Sequence, residues 1–207
     1  MSDIASRFAD ALALENETER KLAVVGVIDQ ALRDLGIRPV VVGGVAVEFW
    51  TYGEYATADI DLVMPYLPAA DDRLVELGFA RKGRHWVLPG TEIFVEAPGS
   101  ALGPREEAVE VEIGEGVSVF VQSAEDILVA RLEEFVATGH RDAAEQGVLL
   151  LRASRLDRRR LERRVEEEGL EPVLVAIERL AERLEAGGSV ESFELHDLAH
   201  ELRRELR

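Results

Sequence analysis

The sequence has 207 residues, and its 24 Lys plus Arg against 41 Asp plus Glu give a formal charge of −17. With 47 % hydrophobic and 31 % charged residues it has the composition of a folded chain, of a length that suits one compact domain or one with a smaller helical partner. The absence of cysteine excludes disulfide scaffolds, thiolate zinc sites and cysteine nucleophiles, and the acidic balance argues against a broad surface for gripping duplex DNA.

The N-terminus carries acids where a secretory leader would carry a basic region, and no apolar run approaches the ~18 residues of a membrane span. The expectation is a soluble, cytoplasmic chain with no membrane partner. From Asn16, an N-cap with Glu19 three residues on opens a helix whose apolar residues Leu22, Val25, Ile28, Leu32 and Leu35 recur at helical spacing until Gly36. The β-branched run after Pro39, up to Val42, reads as a short buried strand that stops at Gly43 and Gly44. A helix is expected over 45–52, and a strand over 58–64 with acids at its start.

Pro68 suits the first turn of a helix that runs to about Leu77, where Gly78 caps it. The stretches 85–88 and 91–96 read as strands joined by the turn dipeptide Pro89-Gly90. Alternation of Val109, Val111 and Ile113 with Glu110 and Glu112, a turn at 114–116, and Val117, Val119 and Val121 predict a hairpin. After Ser123 the texture turns helical, with helices expected near 124–137, 141–152, 155–168, 170–186 and 192–206. The expected organisation is an α/β domain over 1–122, with a mixed sheet flanked by helices, and a helical C-terminal region over 123–207.

The chemistry concentrates where Gly43-Gly44 is followed, after fourteen residues, by Asp59-Ile60-Asp61. Residues i and i+2 of a strand point the same way, so Asp59 and Asp61 set two carboxylates on one face, where they repel unless a cation lies between them. Hard oxygen donors of this kind suit Mg²⁺, which takes one or two protein carboxylates and completes its shell with water and substrate phosphates. A glycine pair at a strand-to-helix junction lets a ligand approach the backbone, and the helix N-terminus offers N–H groups to an anion. Glu96, at the end of a later strand, is read either as a third metal ligand or as a surface acid. Thr57 is read either as part of the motif or as an ordinary strand residue.

Gly43-Gly44, then Thr57-Ala-Asp59-Ile-Asp61-Leu, then a later strand acid, resembles the nucleotidyltransferase superfold of the DNA polymerase β type. More narrowly it is similar to the small bacterial branch that contains the AbiEii-type toxins. That branch commonly shows Ser-x-Glu-Asp followed by a helix with a basic residue, and a later Arg/Lys-Asp pair, matched here by Ser123-Ala-Glu125-Asp126, Arg131 and Arg141-Asp142. The resemblance spans residues 39–150. It departs from the family pattern in a slightly longer Gly44-to-Asp59 spacing, in Arg131 where relatives have lysine, and in Glu96 where many have aspartate.

The resemblance implies transfer of a nucleoside monophosphate from an NTP to a hydroxyl acceptor with loss of pyrophosphate, assisted by two Mg²⁺ ions. It implies Asp59, Asp61 and Glu96 as catalytic metal ligands, with Gly43, Gly44, Thr57, Arg131 and Asp142 on the nucleotide. The acceptor is left open among tRNA, protein and small molecule. A toxin role with a cognate antitoxin partner is implied too, and a degenerate relative that binds nucleotide or a partner protein is the alternative.

Three further signals have ordinary structural explanations. His196 and His200 stand one helical turn apart, as zinc ligands can, but a solvated helix face accounts for them. The arginine-rich run 152–164 could meet a polyanion, yet Asp157 and Glu162 within it fit intrahelical salt bridging. Trp50, Tyr52 and Tyr55, between the glycines and the acids, suit base stacking or core packing equally.

Overall fold

The computed structural model describes residues 2–114, 116–153 and 155–206. Glu115, at the centre of the expected hairpin turn, and Ser154, within the arginine-rich run, lie outside the described residues. The protein is mixed α/β. Its chain forms two compact units, one of residues 1–49 and 56–123, the other of residues 50–55 and 124–207.

The first unit is built on a seven-stranded mixed sheet. In chain order its strands are β1 (Val40–Val42), β2 (Asp59–Val63), β3 (Ala80–Lys82), β4 (His85–Val87), β5 (Phe94–Glu96), β6 (Ala108–Gly114) and β7 (Val117–Gln122). They lie in the spatial order β3-β4-β5-β2-β1-β7-β6. β1 runs antiparallel to β2 and parallel to β7, and β2 runs parallel to β5. The expected hairpins β4–β5 and β6–β7 form as antiparallel pairs.

Helices α1 (Ser2–Leu12), α2 (Glu17–Leu32), α3 (Gly43–Trp50) and α4 (Pro68–Glu76) accompany this sheet. α2 opens on the expected cap, with the Asn16 side chain accepting from the Glu19 N–H at 2.9 Å, and a 3₁₀ turn over Arg33–Leu35 carries it to Gly36 at φ 71°. α2 packs on β6 and β7 and also contacts α1. Val41, Ile60, Leu62, Val95, Val119 and Val121 are fully buried on the sheet. In β2 the alternation places Ile60 and Leu62 in that core and leaves Asp59, Asp61 and Val63 half-buried.

The second unit holds α5 (Ala124–Thr138), α6 (Arg141–Ala153), α7 (Arg158–Glu168), α8 (Glu171–Glu185) and α9 (Ser192–Glu205). α5 is its centre and touches all four other helices, and its Ile127, Leu128, Leu132 and Phe135 are essentially removed from solvent. α7 begins at 158 rather than the expected 155, because Asp157 acts as its N-cap and accepts from the Arg159 and Arg160 N–H groups. No described helix is long and apolar enough to cross a membrane.

Candidate active site

The glycine pair stands at the junction of β1 and α3, with Gly43 the first residue of the helix and in the left-handed region at φ 60°. Because β1 and β2 are antiparallel with Val42 opposite Asp61, the chain that leaves β1 turns directly over the Asp61 side chain. A β-carbon at Gly43 would lie 2.3 Å from Asp61 Oδ2, so any other residue here would displace the carboxylate. One at Gly44 would lie 2.9 Å from the Thr57 side chain. The Asp61 carboxylate thus sits at the N-terminal end of α3, where the helix dipole favours negative charge.

Asp59 and Asp61 share one face of β2, as the period of two requires. Glu96 joins them from β5, since the parallel register sets Asp61 opposite Glu96 and Asp59 opposite Phe94. Its carboxylate is engaged on its other side. Arg84 Nε lies 2.9 Å from Glu96 Oε1, and His85 Nδ1 lies 3.2 Å from Oε2 without hydrogen-bond geometry. Arg84 and His85 follow the Gly83 turn at the start of β4, the strand beside β5.

Thr57 lies just before β2 and holds Asp59. Its hydroxyl donates to Asp59 Oδ1 at 2.5 Å. Behind it is a buried polar group that sequence reasoning missed. Lys21 Nζ, on α2, donates to Glu48 Oε2 of α3 at 2.7 Å and to the Thr57 carbonyl at 2.5 Å. Glu48 also accepts from the Thr57 N–H at 3.2 Å and from the Thr18 hydroxyl at 2.6 Å. Only the length of this network hid it, since Lys21 and Glu48 stand 27 residues apart.

The structure therefore gathers Gly43, Gly44, Thr57, Asp59, Asp61 and Glu96 in the first unit. Arg131 and Asp142 belong to the second. Arg131, on α5, is half-buried with Nη1 2.6 Å from Glu134 Oε2. Asp142 is exposed in the first turn of α6. Of the intervening aromatics, Tyr52 is 78 % exposed and adopts φ 54°, a conformation unusual for a side chain of its size.

Two half-buried carboxylates on one strand face, beside a helix N-terminus, match the donor chemistry of a hard divalent cation that keeps several waters. Among the described residues, no three His, Cys, Asp or Glu side chains are arranged to hold a metal ion. Glu96, the register neighbour of Asp61, is paired with Arg84.

No protein-family model matches this chain, and no curated protein does. Among solved structures it is similar to the antibiotic-resistance factor ANT(2'')-Ia, studied in solution for substrate-regulated conformation dynamics. The sequence identity is 16 % and the TM-score 0.46, over 77 % of this chain and 92 % of that one. At that level of likeness the functional reading rests on the residues of the chain itself.

Proposed function

We propose that the chain is a Mg²⁺-dependent nucleotidyltransferase that moves a nucleoside monophosphate from an NTP to a hydroxyl acceptor. The observation that carries this reading is the close packing of Gly43 on Asp61, with Asp59 on the same strand face. It puts an anion-accepting helix start and a cation-accepting carboxylate pair side by side, the two functions that a metal-bound triphosphate needs at once.

In this reading Asp59 and Asp61 are the metal ligands, and the backbone N–H groups of Gly43 and Gly44 donate to triphosphate oxygens. Thr57 keeps the Asp59 carboxylate turned to its task through the hydroxyl bond. Glu96 joins the acid pair once its carboxylate leaves Arg84, and is then placed to take the proton of the attacking hydroxyl. Divalent ions bound there supply Lewis-acid stabilisation of the attacking and leaving oxygens. The resemblance also implies nucleotide-binding roles for Arg131 and Asp142, and each is proposed on its sequence motif alone. The same resemblance suggests the toxin of a toxin–antitoxin pair, with tRNA, protein and small molecules all chemically acceptable acceptors.

The test is transfer of label from α-³²P NTPs in the presence of Mg²⁺, onto total tRNA and onto protein, by wild type and by Asp59→Ala/Asp61→Ala. Label with wild type and none with the variant is expected; equal label in both would end the enzymatic reading. The engagement of Glu96 by Arg84 favours one second reading, a relative that binds nucleotide without turnover. Retained binding of Mg²⁺-ATP by calorimetry without any transfer would identify it.

A further inference from the structure

We propose that Lys21 is a positioning residue for the acid pair, acting on Asp59 through Glu48 and Thr57. This rests on the reading of Asp59 and Asp61 as metal ligands, and it assigns a role to a residue outside the motif. Lys21 is one of only two lysines in the chain, and its side chain is 9 % exposed. Its ammonium group spends two hydrogen bonds on fixed partners, the Glu48 carboxylate of α3 and the Thr57 carbonyl.

The consequence for Thr57 is specific. Its carbonyl is held by Lys21 and its N–H by Glu48, so the backbone of this one residue is clamped on both sides by a buried ion pair. With its backbone held in place beside β2, Thr57 has its hydroxyl on Asp59 Oδ1. The same pair ties α2 to α3, the helix whose first residue packs on Asp61. One lysine thereby fixes both sides of the carboxylate pair, as groups behind metal ligands do elsewhere.

A purely structural ion pair would leave metal affinity untouched once the protein is folded. The experiment is Mn²⁺ binding, read by the loss of the free-ion electron paramagnetic resonance signal, in wild type, Lys21→Met/Glu48→Met, Thr57→Val, Thr57→Ser and Asp59→Asn/Asp61→Asn. The double methionine variant removes both buried charges together, so that neither is left buried and unpaired, and circular dichroism checks its fold.

The expected result is an Mn²⁺ dissociation constant raised roughly tenfold or more in Lys21→Met/Glu48→Met and in Thr57→Val, and close to wild type in Thr57→Ser. If the methionine variant does not fold, Thr57→Val against Thr57→Ser reads the last link of the same chain. Wild-type affinity in the folded methionine variant or in Thr57→Val would overturn the positioning role and leave the acid-pair reading standing. Mn²⁺ binding that is absent in wild type, or unchanged in Asp59→Asn/Asp61→Asn, would overturn that reading and the positioning role with it.

Discussion

Gly43 packs so closely on Asp61 that a β-carbon at the glycine would stand 2.3 Å from the carboxylate oxygen Oδ2. The contact follows from topology: β1 and β2 pair antiparallel with Val42 opposite Asp61, and the chain turns into α3 at the next residue. Gly43→Ala therefore meets two obstacles, a φ of 60° that costs an L-residue about 1–2 kcal/mol, and a carboxylate that must move. The expected outcome is a modest fall in the thermal midpoint with a much larger loss of nucleotidyl transfer. A variant that transfers label at the wild-type rate would show that the approach has no functional content.

Arg84 holds Glu96 with its Nε 2.9 Å from Oε1, although its own side chain is 77 % exposed. An exposed guanidinium contributes little to stability in such a pair, so Arg84→Ala is expected to leave the unfolding midpoint nearly unchanged. Released from its partner, Glu96 can turn toward its register neighbour Asp61. Divalent-ion affinity is then expected to rise in the absence of nucleotide, as measured by calorimetry with Mn²⁺. Unchanged affinity would mean that Arg84 does not compete with a cation for this carboxylate.

In the helical unit the decisive group is Asp126, whose side chain is fully buried on α5 and binds Arg160 and Arg164 of α7, the latter at 2.9 Å. Burial works against the charge of Arg164, but its bonds to Asp126 and Glu168 more than offset this and raise its pKa above the ordinary value. Asp126→Asn leaves two guanidinium groups at 11 % and 6 % exposure without their shared anion. Breaking one side of a buried ion pair costs about 3–5 kcal/mol, and urea unfolding is expected to show a loss in that range. A loss below about 1 kcal/mol would show that the buried cluster contributes no more than an exposed ion pair does.

The start of α9 should respond to acid. Glu194 accepts from the Glu191 N–H at 2.8 Å and pairs with Arg183, and these interactions hold its carboxyl below the ordinary value. A carboxyl whose pKa is lower in the folded than in the unfolded chain favours the folded state at pH above the ordinary carboxylate range. That contribution disappears as the pH falls through the lowered value. Amide exchange in the first turn of α9 is therefore expected to gain protection less at acidic pH than at neutrality, with Glu194→Gln removing the difference. The same pH response in that variant would place its origin elsewhere.

Much of this architecture was legible in the residues. The five C-terminal helices form within a few positions of their expected bounds, and β1, β2, the β4–β5 pair and the β6–β7 hairpin fall where β-branched runs and turn dipeptides placed them. α1 was not expected from the sequence. β3 was missed because its three residues include Arg81 and Lys82 and show no apolar alternation. Within the site, the shared face of Asp59 and Asp61 follows from strand period alone. The pairing of Asp61 with Glu96, the hold of Arg84 on that acid and the Lys21–Glu48 clamp do not, since each depends on strand order or on how helices meet.

The central claim is that a divalent ion binds between the Asp59 and Asp61 carboxylates, beside the glycine turn. The most direct measurement is diffraction at the manganese absorption edge from crystals soaked with Mn²⁺ and a non-hydrolysable NTP analogue. An anomalous peak in contact with both carboxylates, with the triphosphate against the start of α3, is the predicted result. A well-ordered analogue whose manganese lies away from both aspartates would contradict it.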